Sequence, residues 1–201
     1  IVADDGSGEP TRERIEHLRP GLPFALRHLW QADDGFRKCE ALNGAIAASS
    51  ADYLVFTDGD CIPRRDFLST HLRLRRPGCF LSGGYHKLPM QTSLAIGPDD
   101  IASGRCFEVD WLKAHGMPAS HRNLKLSAGP WLGRVLDAIS PARASWNGHS
   151  ASAWKRDILA VNGFDERMRY GGEDREFGER LENAGVRGLR IRHRAATVHL
   201  D

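Results

Sequence analysis

The chain has 201 residues, 41% of them hydrophobic, with 28 Lys and Arg against 26 Asp and Glu and a formal net charge of +2. That length suits one domain with a sizeable core, and the near-balance of charge gives no electrostatic reason to expect a nucleic-acid partner. Cys39, Cys61, Cys79 and Cys106 lie far apart, with neither a zinc-type pair nor a dense framework. They are expected to be reduced, mostly buried thiols of a cytoplasmic protein. No run approaches the ~20 apolar residues of a membrane span, and Ile1-Val2-Ala3-Asp4-Asp5 has no signal-peptide character, so a soluble domain is expected.

In chain order, Ile1 to Ala3 reads as a strand remnant whose beginning has been removed, and Asp4-Asp5-Gly6-Ser7-Gly8 as a turn. Thr11 to Leu18 is predicted helical, with Ile15 and Leu18 on one face, and Phe24 to Trp30 as a second strand. From Phe36 to Ser49, Cys39, Leu42, Ala45 and Ile46 recur with the helical period, with Asp34 as the expected N-cap. Tyr53 to Thr57 is a short continuous apolar run that suits a strand covered on both faces. Between Tyr85 and Ser145 the periodicity weakens, with one possible helix from Ile101 to His115. Ser152 to Val161 then reads as a strand and helix start, Glu173 to Ala184 as a helix closed by Gly185, and Gly188 to Val198 as one or two strands. The alternation predicts an α/β sandwich.

Three acidic constellations carry chemistry. Asp58-Gly59-Asp60 follows the Tyr53 to Thr57 strand directly, at the end where open α/β sheets hold ligands. Two carboxylates one residue apart can face one divalent cation, Mg²⁺ or Mn²⁺, that bridges to phosphates; the alternative is a polar turn. Asp4-Asp5-Gly6-Ser7 follows another strand and offers acceptors for a base or ribose, or else a self-bonded Asx turn. In the third, Gly171 and Gly172 permit a close backbone approach before Glu173-Asp174 opens a helix. A carboxylate in a first helical turn is expected to be held ionised and able to accept a proton; the alternative is a helix-start residue and nothing more.

The order of these motifs, with Gly35-Phe36-Arg37-Lys38 opening a helix between the first two and Asn162-Gly163-Phe164-Asp165 preceding the third, resembles family 2 glycosyltransferases of the GT-A fold. It is most similar to the bacterial branch with chondroitin polymerase domains and polysaccharide or lipopolysaccharide transferases. The Gly171-Gly172-Glu173-Asp174 segment is similar to the C-terminal part of animal galactosyltransferases. The resemblance implies a single catalytic domain over 1–201, cut at both ends, with a nucleotide- and metal-binding half (1–84) and an acceptor and catalytic-base half (85–201). It implies an inverting transfer from a nucleotide-diphosphate sugar, UDP-linked, to a glycan or glycolipid hydroxyl, with Mn²⁺ or Mg²⁺.

By the same resemblance Asp174, with Glu173, is the catalytic base. Asp4, Asp5, Ser7, Arg37, Lys38, Asp58, Gly59, Gly171 and Gly172 bind the nucleotide sugar, and Asp60 and His199 hold the metal. Leu42 stands where many relatives carry Arg before the residue matching Asn43, so Arg37 or Lys38 must supply any nucleotide-contacting cation. Gly148-His149-Ser150 falls where relatives often have a Gly-x-Asn turn near the donor sugar. The fold implied is a GT-A sandwich around a mostly parallel sheet lacking its first strand, so Val2 and Val55 should share no ladder. Trp111, Trp131, Trp146 and Trp154 are read as core residues, with sugar stacking as the alternative. Arg64, Arg65, Arg73, Arg75 and Arg76 are read as a solvated helix face, with an anionic lipid or glycan as the alternative. Peripheral association with the inner face of the cell membrane follows from that second reading. Two competing functions are a non-catalytic carbohydrate-binding or scaffolding remnant and an Asp-based phosphohydrolase of the haloacid dehalogenase type, which wants Gly-Thr after the second Asp where Cys61-Ile62 stands.

Overall fold

The structure, a computed structural model, describes residues 1–201. Strand β1 (Val2–Asp4) pairs in parallel with β2 (His28–Trp30), and α1 (Glu9–Leu18) makes the connection. Helix α2 (Lys38–Ala48) leads to β3 (Tyr53–Phe56), followed by β4 (Cys61–Pro63), α3 (Phe67–Leu74), β5 (Cys79–Ser82) and β6 (Gly84–Lys87). Five helices follow: α4 (Met90–Ala95), α5 (Pro98–Ser103), α6 (Val109–Ala114), α7 (Leu124–Ser127) and α8 (Pro130–Ile139). The chain closes with β7 (Ala151–Trp154), α9 (Lys155–Ala160), α10 (Glu173–Asn183), β8 (Arg187–Arg190) and β9 (Ala196–His199).

The main sheet has the order β3-β7-β5-β8 and a second sheet the order β4-β9-β6, so both combine strands from the two ends of the sequence. β7 and β5 lie inside the main sheet, which is why Ala151, Ala153, Phe80 and Leu81 are fully buried although the strands are short. Between sheet and helices, Trp146 packs on Phe177 with ring centroids 4.7 Å apart, and Phe164 stacks on Phe177 at 4.1 Å. Trp146 is thus a core tryptophan as expected, whereas Trp131 is exposed.

The pairing corrects one part of the expected sheet. Three of the six ladders are antiparallel, β3 with β7, β7 with β5 and β4 with β9, so the sheets are mixed rather than mostly parallel. β1 is hydrogen-bonded to β2 alone and β3 to β7 alone, so no ladder joins the segments of Val2 and Val55. The expected helix from Ile101 to His115 is broken, because Gly104 takes φ = 86° and ends α5 before a 3₁₀ turn at Arg105–Phe107 and a separate α6. Asp34 does not cap α2: the helix starts at Lys38 with Arg37 in the cap position. The second strand is confined to His28–Trp30. α10 ends where expected, at Gly185 with φ = 86°. All four cysteines are free and buried.

Under β7 lies a buried polar group. His71 is fully buried, its Nδ1 2.7 Å from Ser152 Oγ, which also meets Tyr53 Oη at 2.7 Å. Burial pushes its pKa down from 6.5 to about 4. A histidine whose folded pKa lies below its unfolded one contributes stability that is complete above the unfolded value and is lost as pH falls through 6.5 towards 4. Urea unfolding at about pH 5 is therefore expected to show ~2 kcal/mol less stability from this residue than at about pH 7. A His71→Asn variant should lose that part of the pH dependence.

Candidate active site

The first acidic turn is a scaffold. Asp4 is buried, and its carboxylate accepts from Ser7 N–H at 2.8 Å and meets His28 Nε2 at 2.6 Å. Burial alone would raise its pKa, but those two partners outweigh it and hold the group below the usual 3.8. Asp4 and Ser7 thus shape the turn, with the Asp4 carboxylate buried. Asp5 accepts from Gln31 Nε2 at 2.6 Å and Arg37 N–H at 2.7 Å, which ties the turn to the start of α2. The Arg37 guanidinium stays local, on Ala32 O at 3.0 Å and Glu40 at 3.0 Å.

Lys38 goes the other way, into a group of three carboxylates. Its Nζ is 3.1 Å from Asp58 Oδ1, 3.9 Å from Glu173 Oε1 and 3.9 Å from Asp174 Oδ2. Burial alone would lower the ammonium pKa, but Asp174, Asp58 and Glu173 outweigh it and raise it above 10.5. The acidic turn after β3 and the first turn of α10 therefore lie on one cleft. Gly148, just before β7, donates its N–H to Asp174 Oδ2 at 2.8 Å. A Cβ there would come within 2.6 Å of Asp58 Oδ1 and 2.8 Å of Lys38 Nζ, so any other residue would push those two side chains out of place. Gly171 and Gly172 adopt φ of 95° and 91°, and Gly171 N–H donates to Glu173 Oε2 at 3.0 Å.

Asp174 departs from the expected electrostatics. Burial raises its pKa above 3.8, and the opposing pull of Lys38 and of the Gly148 N–H does not cancel that. Its Oδ1 is buried with no hydrogen-bond partner. The outcome is a carboxylate with more proton affinity than usual and one oxygen free to use it.

Asp60 directly precedes β4, which pairs with β9, and the register sets Cys61 opposite His199. His199 Nδ1 donates to Leu200 O at 2.7 Å, which leaves Nε2 turned to Asp60 Oδ2 at 3.5 Å. Donor atoms of Asp60, Cys61 and His199 lie within 4.8 Å of one another. Burial, with Asp60 and Asp58 nearby, pushes the Cys61 thiol up to about 12, leaving Asp60 and His199 as the ready donors. Two lone-pair donors this close, one braced through its other nitrogen, fit a divalent cation with ligand distances of ~2.1 Å. Tyr85 packs on both His149 and His199, with ring centroids 4.4 and 5.6 Å away. Burial pushes His149 down from 6.5 to about 4, so it is neutral. Gly59 is exposed between the two aspartates.

The Glycosyl transferase family 2 model matches residues 1–76, which hold both acidic turns and Lys38. The model for the N-terminal domain of galactosyltransferase matches residues 142–200, which hold Gly148, Glu173, Asp174 and His199. Residues 1–76 are thus similar to glycosyltransferases of family 2. Validoxylamine A glucosyltransferase of Streptomyces hygroscopicus subsp. jinggangensis (strain 5008) is 28% identical over 92% of this chain and 44% of its own length. Chondroitin synthase of Escherichia coli is 24% identical over 92% of this chain and 28% of its own. The chain thus spans less than half the length of these curated relatives. The mannosyltransferase PcManGT from Pyrobaculum calidifontis, solved with GDP-Man and Mn²⁺, superposes with a TM-score of 0.62 at 18% identity over 98% of this chain and 46% of that one, which identifies the fold as GT-A.

The two matched regions are clamped together by Asn43, on α2. Its amide nitrogen donates to Phe164 O and to Glu166 Oε1, each at 2.9 Å, and its oxygen accepts from Phe164 N–H at 2.8 Å. Gly163, at φ = 65°, approaches so closely that a Cβ would lie 2.4 Å from the Asn43 oxygen. Asn43→Ala strands both backbone groups of Phe164 and is expected to remove ~2–3 kcal/mol, read as a lower urea midpoint at unchanged slope. Nothing local to Asn43 announces this, since its partners lie far along the chain.

Proposed function

We propose that this domain catalyses an inverting transfer of a sugar from a nucleotide-diphosphate sugar, UDP-linked, to a hydroxyl of a glycan or glycolipid, in polysaccharide or lipopolysaccharide synthesis. The observation that supports it is the convergence on Lys38 of Asp58, from one matched region, and Asp174, from the other. Asp60 and His199 are the residues that would hold Mn²⁺ or Mg²⁺, and imidazole beside carboxylate suits Mn²⁺. When bound, the cation neutralises charge on the departing diphosphate. Asp58, Lys38 and Gly59 face the diphosphate end of the donor, and the Asp5 turn with the start of α2 faces the nucleoside. Gly171 and Gly172 bring backbone close to the sugar.

Asp174 Oδ1 takes the proton of the acceptor hydroxyl as the new bond to the anomeric carbon forms opposite the breaking bond, whose electron pair leaves on the diphosphate. The Gly148 N–H holds the other carboxylate oxygen, and Glu173, fixed by Gly171 N–H, orients the turn. The free buried thiols suit a reducing compartment and support a cytoplasmic location. An acceptor carried on lipid would place it at the inner face of the membrane, in peripheral association.

A thermal-shift screen of nucleoside diphosphates and their sugars, with and without Mn²⁺, tests the reading, because a ligand of the native state raises the melting temperature by mass action. A rise with a uridine diphosphate only when Mn²⁺ is present is expected. No rise with any nucleotide sugar would refute it.

A further inference from the structure

Helix α8 is folded with its polar side inward. Gly133 and Asp137, four residues apart and so on one face, are its buried residues. Asp137 accepts from His193 N–H at 2.9 Å and Arg194 Nε at 2.7 Å. The opposite face presents Trp131, Leu132, Val135 and Ile139, which are 76%, 39%, 36% and 70% exposed. Single exposed apolar side chains are ordinary, but four on one stripe of a three-turn helix form an interaction surface. Along the flank of this stripe, between α8, the end of α3 and β8, runs a cavity of about 510 Å³ lined by Arg76, Arg134, Arg143, Arg190 and Arg194. Arg194 is paired with Asp137 and Arg143 with Glu182, while Arg190 donates to the Ala142 carbonyl. Arg76 and Arg134 have no carboxylate within ion-pair reach, so the groove is strongly positive.

We propose that α8 and the arginine groove beside it are the docking surface for an anionic lipid bilayer. Trp131, Leu132, Val135 and Ile139 enter the boundary between headgroups and acyl chains, and the arginines meet lipid phosphates. No helix of the chain is long and apolar enough to cross a membrane, so the contact lies in the interface plane. A second copy of the chain is a poorer occupant, because a two-fold contact sets the same surface against itself and brings the arginines together. The proposal rests on the peripheral association proposed above and names the surface that makes it; it does not depend on the reaction.

Co-sedimentation of the full chain with phosphatidylcholine vesicles, alone or with added phosphatidylglycerol, tests it. Binding to the anionic vesicles, weakening as salt is raised, is expected. Trp131→Glu with Ile139→Glu, and separately Arg76→Glu with Arg134→Glu, should each reduce binding ~10-fold or more at unchanged melting temperature, since all four side chains reach solvent or line the groove. If the Trp131→Glu, Ile139→Glu variant binds like the parent, another surface docks and this inference fails while membrane association stands. If the parent ignores anionic vesicles, or binds neutral ones equally, both fail. A solution dimer that Trp131→Glu dissolves would make the occupant a second copy and also overturn the inference.

Discussion

Asp174→Asn is expected to leave nucleotide-sugar binding intact while slowing transfer to acceptor by at least ~10²-fold, the lower range of general-base effects. The amide keeps the shape and can still meet the Gly148 N–H through its oxygen, so the backbone of the cleft has no reason to move. What it removes is the proton-accepting oxygen, Oδ1, which has no other partner. The measurement is a pair: a thermal shift with donor nucleotide that matches the parent, and a single-turnover transfer rate that does not. The pH dependence gives an independent reading. Since burial raises the Asp174 pKa above 3.8 and the base works deprotonated, transfer should fall on the acid side at a pH above that of an ordinary aspartate. A variant that loses donor binding and transfer together would assign Asp174 to the donor instead.

Asp60→Ala is expected to abolish dependence of turnover on a divalent cation and to reduce turnover by ~10²–10³-fold, the equivalent of several kcal/mol of stabilisation of the leaving group. Lys38, the cation that meets Asp58, is already shared among three carboxylates. It cannot neutralise a diphosphate as well. Excess chelator should reproduce the effect in the parent, and His199→Ala should weaken Mn²⁺ binding while leaving the donor's nucleoside contacts in place. Full activity in chelator would remove the metal from the mechanism.

Much of this was legible in the residues because it is local. Two aspartates separated by glycine after an apolar strand, or two glycines before an acidic helix start, are patterns a few residues long. Helix α2 was legible from its period and α10 from its ends, because repeated burial on one face and a left-handed glycine stop leave marks in order. The stretch from β6 to α8 was not, since helices of four to ten residues offer one or two turns of pattern each. Of the arginines read as a solvated helix face only Arg73 lies in α3, while Arg64 is bound to Asp66 and the Arg194 carbonyl and Arg76 opens on the groove. The partners of Lys38, itself named as a candidate, were not legible for a different reason: all three lie beyond any window of sequence. The added stabilisation of the ionised form expected for Asp174 is outweighed by burial, because a helix start is visible in a sequence and burial of its carboxylate is not.

One feature of the topology bears on how the domain forms. β9 is the last strand of the chain, yet it lies in the middle of its sheet, between β4 and β6, which do not touch without it. Its register is what sets Asp60 beside His199. Closing so long a stretch of chain is slow, because the entropy of closure is lost before the distant contacts form. No locally folded species can therefore own the paired ligands. An ion held by Asp60 and His199 would cross-brace two segments far apart in sequence, resisting unfolding where β9 would otherwise peel from β4.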